Sequence, residues 1–189
     1  MTPKDTAFHT LGRTIVNFQR LEHNLKILAS LTPFETYEHT VETHLEKQRE
    51  KAARFTLGAA ISAWIDLLDG KVETSKRMDD LYSTTVKRRM VFNLDPDVQE
   101  AHATGLRALL EERNTLIHGG LAHFPWESEA DCGELMTYLE DLNNAIAEHM
   151  QFLEPIADSL RELENGTLVI EQGETDRHFV AYLVPQGDA

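Results

Sequence analysis

The sequence predicts an all-α protein, an antiparallel bundle of four or five helices that carries a short C-terminal β-hairpin. Three observations support that reading. Apolar residues recur at three- and four-residue spacing through several long stretches. Helix starts and stops are written as Asp-Pro-Asp, Gly-Gly and Asn-Gly, and only the C-terminal segment alternates as strands do. A chain of 189 residues, 41% hydrophobic and 26% charged, is long enough to bury one core and too apolar to be disordered. Residues 1–165 are expected to form the bundle, and residues 166–189 an appendage packed on it.

The first helix is expected over residues 5–31, from the spacing of Leu11, Ile15, Phe18, Leu25 and Leu28. Thr32-Pro33 stops it, because proline disfavours helical geometry in the residue before it. A charged stretch from residue 37 to 54 reads as a second, largely exposed helix that runs into an apolar segment over 55–68, closed by Asp69-Gly70. Residues 71–93 are highly charged and fit either a helix or a long loop. Asp95-Pro96-Asp97 is a strong helix start: aspartate caps free amides, proline suits the first helical position, and the second aspartate complements the dipole. That helix is expected to reach His118, where Gly119-Gly120 stops it. Ser128 caps the last long helix, whose seam is Leu135, Leu139, Leu142, Ile146, Met150, Leu153, Ala157 and Leu160. Pro155 should kink it and Asn165-Gly166 end it. Two β-prone runs, beginning at Thr167 and His178, flank residues 173–176 and read as the hairpin. A lone hairpin is barely stable, so it must pack on the helices or pair with another chain.

Charge and composition exclude several classes. The formal net charge is −14, which argues against a protein that coats DNA through phosphate neutralisation. The charge is uneven: residues 1–90 hold 14 basic and 12 acidic side chains, residues 91–189 only 4 basic and 20 acidic. An anionic ligand should therefore meet the first half, around Lys47 to Arg54 or around Lys87-Arg88-Arg89, unless these are simply solvated faces. One cysteine, Cys132, excludes an internal disulfide framework, and its acidic surroundings blunt it as a nucleophile. No apolar run approaches the roughly 18 residues that span a bilayer, and the N-terminal residues do not read as a secretory signal, so no membrane partner and a cytoplasmic location are expected. No residue three before a histidine is glutamate, which removes the Glu-x-x-His di-iron pattern; His-Glu-x-x-His and the phosphate-binding Gly-x4-Gly-Lys-Ser/Thr are also missing. Neither a metal nor a cofactor is expected.

Two polar residues fall where apolar ones should. Projected at about 100° per residue, Leu11, Ile15, Phe18, Leu25 and Ala29 define one face of the first helix, with Glu22 in its middle. The same projection places Arg113, with His102 close by, among Leu106, Leu109 and Leu116. Arginine stays charged and needs an acceptor, so Glu22 is expected to pair with it. That pair can be purely structural, fixing how two helices pack. His118 lies about 140° from Arg113 on a regular helix and so points off the core face, from the last turn. It is either a helix-end cap or the general acid/base of a phosphate chemistry in which Arg113 clamps the phosphate.

Arg113-Asn114-Thr115-Leu116-Ile117-His118 resembles the Arg-x4-6-His motif of the HEPN superfamily, including the polar residue that follows the arginine. The opening segment from Leu11 to Glu22 is similar to the first helix of several bacterial HEPN-like proteins. The resemblance implies a helical bundle, a homodimer and a metal-independent endoribonuclease of a toxin–antitoxin or phage-defence type. It implies that Arg113, Asn114 and His118 line a composite site where two protomers meet, and that cleavage passes through the RNA 2′-OH to a cyclic phosphate. An antitoxin or other regulatory protein is then an expected partner. The family's toxins that nucleotidyltransferases silence carry a tyrosine two residues after the motif histidine; Gly120 stands here, so silencing by adenylylation at that position is not expected. Glu22 and His102 would support Arg113, and Lys87, Arg88, Arg89 and Trp126 are candidate RNA contacts, with Trp126 stacking a base or instead covering a helix end. The competing reading is a non-catalytic HEPN-like module that binds a partner protein through its acidic half.

Overall fold

The computed structural model describes residues 2–30, 33–71, 85–88, 95–121, 123–164, 167–172 and 179–184, and these are mostly helical. Helix α1, Pro3–Ala29, starts two residues earlier than the apolar spacing indicates, because Thr2 and Asp5 form a reciprocal capping box. The Thr2 hydroxyl accepts from the Asp5 amide at 3.1 Å, and the Asp5 carboxylate accepts from the Thr2 amide at 3.0 Å. After α1 comes a short strand, β1, Phe34–Tyr37, then a single 3₁₀ turn and helix α2, Val41–Ala53. Only Ala52 of α2 is buried; Lys47, Arg49, Lys51 and Arg54 lie on its solvated side. Helix α3, Leu57–Leu68, is capped by Thr56 and closed at Gly70, whose φ of +64° costs a glycine little.

The stretch over 71–93 contains a strand, which corrects the expectation of a helix or loop. Strand β2, Thr85–Arg88, pairs antiparallel with β1, Phe34 facing Arg88 and Glu35 facing Lys87 in the register. The β-branched pair Thr85-Val86 and the run Phe-x-Thr-Tyr of β1 favour extended backbone, and the surrounding charge concealed that preference. Residues 72–84 and 89–94, Arg89 among them, lie outside the described residues.

Helix α4, Pro96–Thr115, begins as Asp-Pro-Asp dictates, with the Asp95 carboxylate accepting from the Asp97 amide at 2.9 Å. It continues into a π-helical turn, Leu116–Gly120. The Ser128 hydroxyl then accepts from the Asp131 amide at 3.3 Å at the start of helix α5, Glu129–Glu164. Backbone strands β3, Thr167–Gln172, and β4, Phe179–Val184, pair antiparallel, and the turn between them lies outside the described residues. No described helix is long and apolar enough to cross a membrane.

The core is one cluster from α1, α3, α4 and α5. Leu21, Leu25 and Leu28, Ile61 and Trp64, Leu106, Leu139, Ile146 and Leu153 are almost wholly buried in it. Helix α1 packs along α5, and α3 packs against both α1 and α4. The α1–α5 seam is partly polar. Asn17 Nδ2 donates to Asn143 Oδ1 at 2.7 Å, Asn143 Nδ2 to the Thr14 hydroxyl at 2.8 Å, and that hydroxyl to the Thr10 carbonyl at 3.0 Å. Because Thr10, Thr14 and Asn24 are buried, the inner face of α1 is rotated by roughly 50° from the face its apolar residues define. Ile15 is thereby exposed and Glu22 sits on the flank.

Candidate active site at the end of α4

The last turn of α4 brings Arg113 and Asn114 together. Both are half-buried, and Arg113 Nη1 donates to Asn114 Oδ1 at 3.1 Å. Leu116 anchors the following π turn in the core while Ile117 and His118 project to solvent. The π turn continues the helix past Thr115, so Arg113 and His118 stand five residues apart along one helical end. The helix end thus carries an accessible imidazole and a half-buried guanidinium within six residues.

Glu22 does not hold Arg113. Its carboxylate pairs with Lys26 one turn along α1, at 2.7 Å, and its side chain is 28% exposed. The rotated face of α1 explains this: Glu22 borders the core instead of facing across it, and its own helix supplies a cation at i+4. Among the described residues, no carboxylate forms an ion pair with Arg113. The acceptor that Arg113 requires is supplied partly by its neighbour Asn114.

His102 is likewise no support for Arg113. It lies about 16 Å up the helix, at 1.5 Å per residue, and 6% exposed in the core. The Trp64 indole N–H donates to His102 Nε2 at 3.2 Å, and His102 Nδ1 lies 3.0 Å from His149 Nδ1. Phe152 packs on the ring, centroids 4.2 Å apart. Burial, aided by His149, pushes the His102 pKa down to about 4; burial also lowers His149, against the pull of Glu148. The indole is a donor only, so it fixes the His102 proton on Nδ1, and that proton lies on the line to His149. The two imidazoles therefore share a hydrogen bond. A metal between them would need both lone pairs, and the Trp64 bond would have to break to free the one on His102. Among the described residues, no group of three or more potential metal ligands converges.

Trp126 covers a helix end. Phe8 of α1 stacks on it with centroids 4.2 Å apart and planes 10° apart, and Phe124 meets its edge. One ring face is therefore taken, which removes the simplest form of base stacking on this tryptophan. Lys4 also pairs with Glu127, so the loop that follows His118 is pinned to the first turns of α1. Cys132 is buried, its Sγ 3.6 Å from the Trp126 carbonyl, and takes no part in the site. Lys87 and Arg88 lie on β2, away in sequence from the α4 end, and only their backbone register is described.

Two supporting residues escaped the sequence reading. Tyr138 Oη donates to Glu112 Oε2 at 2.7 Å, tying α5 to the residue before Arg113. Burial first, and then the bond to Glu112, push the tyrosine pKa up to about 12. Tyr138→Phe is expected to lower stability by about 1 kcal/mol, read as a lower urea midpoint at unchanged slope. His149 was legible in principle, since it stands three residues after Ile146 and four before Leu153 of the α5 seam. Comparison with protein-family models, with curated proteins and with solved structures finds no match to this chain.

Proposed function

We propose that this chain is a HEPN-like, homodimeric endoribonuclease that cuts RNA without a metal, acting in the cytoplasm as a toxin or phage-defence effector under a regulatory partner. The reading rests on the Arg113–Asn114–His118 motif at the end of α4 and on one geometric observation: Arg113 is half-buried and bonded to Asn114 while His118, in the π turn that follows, is exposed. Neutral His118 takes the proton of the ribose 2′-OH. The 2′-oxygen then bonds to phosphorus as the bond to the 5′-oxygen breaks, leaving a 2′,3′-cyclic phosphate. The departing 5′-oxygen takes a proton from a second imidazolium, which the same motif of a second protomer would supply. Arg113 neutralises the charge that builds on the non-bridging oxygens, and Asn114 orients its guanidinium. In this reading the helices form the HEPN bundle, with the C-terminal hairpin packed on it.

The test is cleavage of total RNA by the purified protein in excess EDTA, beside His118→Ala. Cuts with cyclic-phosphate ends, absent from the variant, are expected. Two folded proteins that both leave the RNA intact, or both cut it, would overturn the assignment; the first result would favour a non-catalytic module that binds a protein partner.

A further inference from the structure

We propose that Trp64, His102 and His149 form a proton-operated latch that joins α3, α4 and α5 at neutral pH and opens when it takes up one proton. The latch does not depend on the ribonuclease reading, and its readouts need no substrate. Its three members lie on three different helices and make a single directed chain: indole N–H to His102 Nε2, then His102 Nδ1–H to His149 Nδ1. Each bond uses one proton and one lone pair. A proton added to His149 Nδ1 faces the N–H of His102. Turning that bond round would move the His102 proton to Nε2, where it faces the N–H of Trp64. Since the indole cannot accept, every placement of the extra proton breaks one of the two bonds.

The surroundings give the extra charge little shelter. Helix α3 presents the uncharged indole, α4 presents Gly105, and α5 presents Phe152 and, beside His149, the carboxylate Glu148. Gly105 is part of the device: a Cβ there would fall 2.6 Å from His149 Cε1, so the imidazole reaches His102 only across a bare backbone. The α4–α5 seam has a second tether, Glu112–Tyr138, ten residues further along α4. Acid therefore releases the seam at its His149 end while the other end stays tied.

The sign follows from neutral histidines in the folded state. The unfolded histidines bind protons from about pH 6.5 downward, whereas burial holds both folded imidazoles below that value, His102 down at about 4, so stability is lost as pH falls below about 6.5. The experiment compares wild type with His102→Gln between pH 7.5 and 3.5, following the thermal midpoint and the indole N–H resonances of Trp64 and Trp126. Glutamine can accept from Trp64 through Oε1 and donate to His149 through its amide, so it keeps both bonds without the His102 titration. The wild-type midpoint is expected to fall by about 8 °C more than that of the variant, with the Trp64 resonance moving and that of Trp126 still. Gly105→Ala, which displaces His149 but favours the helix, should flatten the same pH response. Equal pH responses in wild type and both variants, or a Trp64 resonance indifferent to pH in the folded wild type, would overturn the latch.

Discussion

Trp64→Ala is expected to cost about 4 kcal/mol of stability, the largest loss from any single truncation in this core. The indole is wholly buried on α3 and bonded to α4, and removing it leaves a large cavity in the core. It also strands His102 Nε2, a buried acceptor whose only partner among the described residues is the indole N–H. Because domains of this size are stable by about 5–15 kcal/mol, the variant should be largely unfolded at moderate urea concentrations where the wild type is intact. Trp64→Phe separates the two contributions. It keeps most of the apolar volume and loses the N–H, so its cost should be about 1–3 kcal/mol, the penalty for one unpaired buried acceptor. If phenylalanine is as damaging as alanine in urea titrations, packing is not the dominant effect. If it is harmless, the indole bond to His102 contributes nothing.

Arg113→Lys is expected to lower the rate of RNA cleavage by about 100-fold while leaving the urea midpoint unchanged. In the proposed mechanism the guanidinium has two tasks at once: one N–H is already committed to Asn114 Oδ1, and the remaining fork would meet the phosphate. An ammonium is a point charge that cannot hold both directions. The loss is of the size seen when one oriented donor to a developing oxyanion is removed. His118→Ala should lose about 10²–10⁴-fold, the usual contribution of a positioned acid/base. Neither change should unfold the protein, because His118 is exposed and the described hydrogen bond of Arg113 is to the next residue in its own helix. The decisive measurement is single-turnover cleavage of one defined RNA beside a urea melt of each variant. A rate preserved in Arg113→Lys would show that charge alone suffices, and a lowered urea midpoint would return Arg113 to a structural role.

Much of the architecture is legible in the chain because it is local. Helix ends follow from Thr2 with Asp5, Thr56, Asp95-Pro96 and Ser128, each a side chain satisfying amides a few residues away. The α5 seam from Leu135 to Ala157 is buried as its spacing requires. The pairing of Arg113 with Asn114 is also local, since the two are adjacent in the chain. What sequence spacing misjudged was everything that depends on which neighbour a face meets. Helical projection assigned Glu22 to the core because it weighed only apolar residues. The tertiary structure buries Thr10, Thr14 and Asn24, with Thr14 bonded to Asn143 and Asn24 to the Met150 sulfur of α5, turns α1 accordingly and leaves Glu22 to Lys26. His102 was assigned to Arg113 by proximity on one helix, yet its partners come from α3 and α5, 38 and 47 residues away in the chain. The strand pair β1–β2 was hidden for the same reason, its partners being separated by some fifty residues of charged and helical sequence. Capping, periodicity and the motif are encoded within a few turns of chain. The partner of each buried polar group is fixed only when helices pack, because the cost of burying it is set by whatever atom lies opposite.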